Sequence, residues 1–117
     1  GSFWHDIGDL LLQAGGQRLI GLLRKSDTIA RMGGDEFLII LPKLINPEAA
    51  INTAERILSA LSTPFQLEGN HIQITTSIGI SIFPDDGEEV SLLVKKADTA
   101  MYHAKQKGGN TYHLYQP

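Results

Sequence analysis

Arg31-Met32-Gly33-Gly34-Asp35-Glu36-Phe37-Leu38-Ile39-Ile40 is the stretch around which the rest of the chain is organised. Before it, Thr28-Ile29-Ala30-Arg31-Met32 reads as a short strand; after it, Phe37-Leu38-Ile39-Ile40-Leu41 is an apolar run of strand length stopped by Pro42. Two strands joined through glycines and acids make a hairpin. Glycine reaches positive φ and leaves no β-carbon in the way of a ligand, so Gly33-Gly34 suits both a tight turn and the close approach of a phosphate or base. Asp35 and Glu36 are hard oxygen donors, of the kind that hold Mg²⁺ together with substrate phosphates. On these residues alone the tip also fits an ordinary Gly-Asp turn.

With 117 residues, 42% hydrophobic and 20% charged, the chain makes one globular domain with a modest core. No apolar run approaches the roughly 18 residues of a membrane span, and no signal peptide pattern opens the sequence. The lack of cysteine excludes a disulfide framework and thiolate metal sites and fits a reducing compartment, so a cytoplasmic location is expected. A net charge of −3 argues against binding nucleic acid through overall charge. His5, His71, His103 and His113 show neither zinc-type spacing nor accompanying cysteines, and read as surface or satisfied residues.

Working outward from the hairpin, Ile7, Leu10, Leu11, Ala14, Leu19, Leu22 and Leu23 form the apolar stripe of a helix over 7–25. Gly15-Gly16 weakens its middle by roughly 1 kcal/mol per glycine. Asp6 or Asp9 suits its N-terminus, and Arg24 with Asp27 suits a solvated pair at its end, worth at most ~1 kcal/mol. Downstream, Asn46 and Pro47 start a helix that runs to about Ser62 and buries Ala50, Ala54, Ile57, Leu58 and Leu61. Phe65-Gln66-Leu67 and one long alternating strand, Ile72 to Ile82, enclose Glu68-Gly69-Asn70 as a second hairpin. The other face of that strand, Thr75, Ser77, Gly79 and Ser81, is small enough for a helix to lie close. After the turn Pro84-Asp85-Asp86-Gly87, a last helix over about Val90 to Lys107 buries Leu93, Ala97, Ala100, Met101 and Ala104. Lys105 falls near its final turn, and Thr111 to Pro117 reads as an edge strand.

The string Gly33-Gly34-Asp35-Glu36-Phe37 follows Arg24-Lys25-Ser26-Asp27 and precedes Ala97-Asp98-Thr99-Ala100-Met101-Tyr102-His103-Ala104-Lys105; in that order the motifs resemble the GGDEF family of diguanylate cyclases. Trp4-His5-Asp6-Ile7-Gly8-Asp9 is similar to the family's GHxxGD element, with Trp4 in place of glycine. The resemblance implies an α/β, palm-like nucleotidyl cyclase fold, a ferredoxin-like sheet with helices on its faces. It also implies condensation of two GTP into cyclic di-GMP by a homodimer, with Mg²⁺ or Mn²⁺ as cofactor. By the same resemblance Asp35 and Glu36 are catalytic and metal-binding, Gly33 and Gly34 line the substrate, Asp9 takes the guanine edge and Lys105 the triphosphate. Arg24 and Asp27 match the RxxD site at which cyclic di-GMP inhibits.

The chain departs from the family at two places. Gly109 stands where the family's GRN carries an arginine, which removes a phosphate donor. The DxDxFKxIND element that ends the family's first strand has no counterpart. Gly1-Ser2, a pair common as a cloning remnant, reads as one, and 3–117 reads as a partial GGDEF domain that, by the resemblance, lacks the strand lying mid-sheet beside the hairpin. Such a piece is expected to be inactive, and either associated through its open strand edges or rearranged to close the gap. The closing residues resemble domains that continue into an EAL phosphodiesterase domain. The competing reading is a degenerate module that binds GTP or cyclic di-GMP without catalysis. An RNA-binding α/β domain would want a basic surface and paired aromatics, and the sequence carries neither.

Overall fold

The apolar run after the hairpin tip becomes an inner strand of the sheet. The structure is a computed structural model that describes Arg18 and residues 28–31, 36–43 and 47–117. In it β1 (Thr28–Arg31) pairs antiparallel with β2 (Glu36–Pro42), with Ala30 opposite Leu38. β2 is one residue longer at each end than the apolar run: Glu36 opens the strand and Pro42 closes it. A proline is tolerated there because only the last rung of the ladder loses a donor.

Helix α1 (Pro47–Ser62) starts on its proline as expected, and a small separate hairpin follows, β3 (Phe65–Leu67) with β4 (Asn70–Ile72). Then come β5 (Ser77–Phe83), helix α2 (Val90–Gln106) and β6 (Thr111–Leu114). The main sheet runs β1-β2-β5-β6, with β5 parallel to both its neighbours.

One expectation is corrected here. The alternation from Ile72 to Ile82 is not one strand but two, in different sheets, with residues 73–76 outside any strand. The partner segment Phe65–Leu67 is only three residues long, so hairpin pairing ends at Ile72, and from Ser77 the chain takes new partners. Of the two outcomes expected beside the hairpin, the sheet shows the second, a closed gap. β2 and β5 are direct neighbours joined in register from Glu36–Ser77 to Pro42–Phe83, so neither of these inner strands has a free edge.

Parallel register sorts the side chains onto two faces. Phe37, Ile39 and Leu41 lie beside Ile78 and Ile80 and pack against Ala50, Ala54, Ile57 and Leu61 of α1. Each of these large aliphatics, once fully buried, contributes roughly 1.5–3 kcal/mol. On the opposite face Leu38 packs with Ala97 and Met101 of α2. The buried set of α2 is the expected one: Leu93, Ala97, Ala100, Met101 and Ala104. The small stripe of β5 explains its closeness. A β-carbon built on Gly79 would run into the Ala97 carbonyl oxygen and the Met101 amide nitrogen, and Ser81 Oγ donates to the Leu93 carbonyl at 2.8 Å. Among the described residues no helix is long and apolar enough to cross a membrane.

Candidate active site

The parallel strands β2, β5 and β6 all begin at the same end of the sheet, where Glu36, Ser77 and Thr111 form one row across the register. Strand alternation turns Glu36 to the face that α2 covers, since Leu38, two residues on, packs into that helix. The last turn of α2 ends over the same row. Its termination is a Schellman motif: the Gly109 N–H donates to the Ala104 carbonyl at 3.2 Å and the Gly108 N–H to the Lys105 carbonyl at 3.0 Å, with φ of 108° at Gly108 and 75° at Gly109. Carbonyls that would otherwise present the helix's negative end to a phosphate are thereby occupied.

Two predicted site residues meet here. Lys105 Nζ donates to Glu36 Oε2 at 3.1 Å, between side chains 45% and 25% exposed, across 69 residues of sequence. An ion pair this open to solvent adds at most ~1 kcal/mol to stability. Its interest lies in bringing a carboxylate and an ammonium to one rim. The remaining predicted residues, Asp9, Arg24, Asp27, Gly33, Gly34 and Asp35, lie outside the described residues.

Among the described residues no group of three or more histidine, aspartate or glutamate side chains converges on a metal position. Glu36 offers a hard divalent ion one carboxylate at a solvent-facing rim, with the Lys105 ammonium as its present counter-charge. Mg²⁺ needs few protein ligands when phosphates complete its shell. At Gly109 a β-carbon would meet only Ser77 Oγ, at 3.5 Å, so there is room for a side chain beside Glu36's neighbour although the backbone conformation favours glycine.

Three described contacts have no counterpart in the sequence reading. Lys107 Nζ lies 3.0 Å from His113 Nδ1, and because an ammonium only donates, Nδ1 accepts and the neutral ring carries its proton on Nε2. Burial first, then the charges of Lys107 and His103, hold His113 below the usual histidine pKa. Tyr112 donates to Glu55 Oε1 at 3.2 Å; burial and that carboxylate raise its pKa. Arg18 donates to the carbonyls of Ala60 at 2.7 Å and Thr63 at 2.6 Å, with its guanidinium 3.6 Å above the Phe65 ring. α1 has no basic residue in its own last turn, so Arg18 supplies the cation its negative end lacks. Charge complementarity at helix ends was the available signal, but nothing in the sequence links position 18 to that end.

Residues 2–111 match the family described as diguanylate cyclase, GGDEF domain. The chain is 39% identical over 115 residues to the bifunctional diguanylate cyclase/cyclic di-GMP phosphodiesterase MucR of Pseudomonas aeruginosa, a match that covers 98% of this chain and 17% of MucR. It is 35% identical to the cyclic di-GMP phosphodiesterase NbdA of the same organism, covering 97% of this chain and 14% of NbdA. The chain thus spans about one sixth of the length of these curated relatives. An EAL/GGDEF domain protein from M. capsulatus superposes with a TM-score of 0.78 at 39% identity, over 97% of this chain and 73% of that one.

Proposed function

Because the chain belongs to the GGDEF family of diguanylate cyclase domains, we propose that it is a nucleotide-binding half of a cyclase that condenses two GTP into cyclic di-GMP, two such domains facing each other as a homodimer. The observation that carries this reading is the meeting of Glu36 and Lys105 at one rim of the sheet. An ammonium there suits a triphosphate oxygen, and a carboxylate beside it suits the divalent ion that accompanies the triphosphate. Asp35, adjacent in sequence, is the second carboxylate of the same task. Asp9 accepts from the N1–H and N2–H₂ edge of guanine, a pattern adenine does not offer. When bound, Mg²⁺ or Mn²⁺ supplies charge neutralisation at the phosphates and favours ionisation of the attacking 3′-hydroxyl. Arg24 and Asp27 form the RxxD site for the product, where the guanidinium fork takes phosphate and guanine.

Glu36→Gln tests the assignment because it keeps size and removes charge. Cyclic di-GMP formation by a protein carrying this domain is expected to fall by at least about two orders of magnitude, the scale for losing electrostatic stabilisation of a transition state. Near-normal turnover would overturn the assignment.

A second reading is supported by Gly109, where the family's arginine is missing, and by NbdA, whose name mentions only phosphodiesterase activity. In it the domain binds GTP or cyclic di-GMP and regulates a neighbouring domain. Single-turnover measurements separate the two readings: nucleotide binding without any product formation belongs to the second.

A further inference from the structure

The Glu36–Lys105 pair does more than mark a site. It offsets each charge with the other: the ammonium lies on one oxygen of the carboxylate that a cation would engage, and the carboxylate takes one of the donors that a phosphate would engage. A ligand on either residue draws on the charge that holds the pair. Resting on the assignment of Glu36 to the cation and Lys105 to the triphosphate, we infer that this ion pair couples the two ligands. The first to bind releases the opposite residue for the second, so that cation and triphosphate bind with positive cooperativity through Glu36 and Lys105. Linkage makes the effect reciprocal: each ligand raises the affinity of the other by the same factor.

The geometry favours such a device over a fixed salt bridge. Both side chains are partly exposed, so the pair is weak enough to be opened by a ligand and strong enough to register in affinity. The backbone beneath does not have to move. Glu36 is held in the ladder opposite Ser77, and Lys105 sits in the last turn of a helix whose end is closed by Gly108 and Gly109. Only two side chains need to swing, which separates this coupling from one that requires a domain movement.

The test is a double-mutant cycle on the full chain with two separate readouts and no turnover. Binding of N-methylanthraniloyl-GTP in EDTA reads the triphosphate alone, and Mn²⁺ binding by water-proton relaxation without nucleotide reads the cation alone. Glu36→Gln frees Lys105 and is expected to tighten metal-free nucleotide binding about fivefold, the upper range for a partly exposed ion pair. In the Lys105→Gln background the same change is expected to give no gain. Lys105→Gln should tighten Mn²⁺ in matching fashion, whereas Lys105→Arg, which keeps a cation beside Glu36, should leave Mn²⁺ affinity within about twofold of the parent. If Glu36→Gln tightens nucleotide equally in both backgrounds, the gain is general repulsion by the carboxylate and the coupling is refuted while the site assignment stands. If Lys105→Gln leaves nucleotide binding unchanged, or Glu36→Gln leaves Mn²⁺ binding unchanged, the assignment itself fails and the coupling with it.

Discussion

Lys105 and Lys107 stand two residues apart at the end of α2 and find opposite kinds of partner. On one flank Lys105 reaches across to β2 and meets a carboxylate, Glu36; on the other Lys107 reaches β6 and meets a neutral imidazole, His113. One helix end therefore carries a charge-compensated pair and a cation held by an acceptor that itself titrates. The first contact is an exchange position, where outside ions of either sign find a ready counterpart. The second responds to protons, because a protonated His113 has no lone pair left for Lys107. Placement on the sheet explains the difference: the flank facing β2 meets the first residue of an inner strand, Glu36, and the flank facing β6 meets the last strand in the sheet order.

The largest expected effect removes both contacts together. Gly79→Val puts a branched side chain where the backbone of α2 already lies, so the helix must lift from the sheet. We expect a loss of about 3 kcal/mol or more in urea unfolding, beyond ordinary overpacking because the obstacle is backbone. Next, the two lysines should separate cleanly in nucleotide binding. Lys105→Gln is expected to weaken GTP about tenfold, the scale of one charge-assisted hydrogen bond, and Lys107→Gln should leave affinity within about twofold; equal losses in calorimetry would mean that the flanks do not differ.

A smaller effect is expected at the turn that joins the flanks. Gly109→Arg returns a phosphate donor to the Lys105 side and should tighten GTP several-fold, while left-handed backbone at φ 75° costs about 1 kcal/mol of stability. A thermal midpoint and a binding isotherm on the same sample check both halves.

The smallest effect belongs to His113. Its folded pKa lies below the ordinary value of 6.5, so as pH falls through 6.5 the unfolded chain takes up the proton first and stability declines until the folded ring is protonated as well. His113→Gln keeps an acceptor for Lys107 without titrating, and the fall in stability between pH 7 and pH 5 should become shallower than in the parent. An unchanged slope would place the pH response elsewhere.

Elements with a repeating apolar pattern were legible in the sequence. The buried face of α2, Leu93 to Ala104, follows from helical periodicity alone, and the small stripe Ser77, Gly79, Ser81 foretells the helix that lies on it. Periodicity failed where it continued across a change of partner. Ile72 and Ile74 alternate in phase with Ile78 and Ile80, so nothing in the pattern marks residues 73–76 as the crossing between two sheets. The site shows the same division. Glu36 and Lys105 were each singled out by type and motif, but their contact spans 69 residues and depends on the register of β2 with β5 and on where α2 ends. The pairing of Lys107 with His113 depends on β6 lying next to β5, which composition cannot convey.

Arg18 has a consequence in time rather than in energy. Its acceptors are the carbonyls of Ala60, Thr63 and Pro64, a set that exists in that arrangement only once α1 has wound to its end and the chain has turned into β3. The contact spans 42 to 46 residues and rewards the chain only after that loop has closed. Arg18→Ala is therefore expected to speed unfolding more than it slows folding, which stopped-flow rates in urea would check; a change confined to the folding rate would place the clasp early.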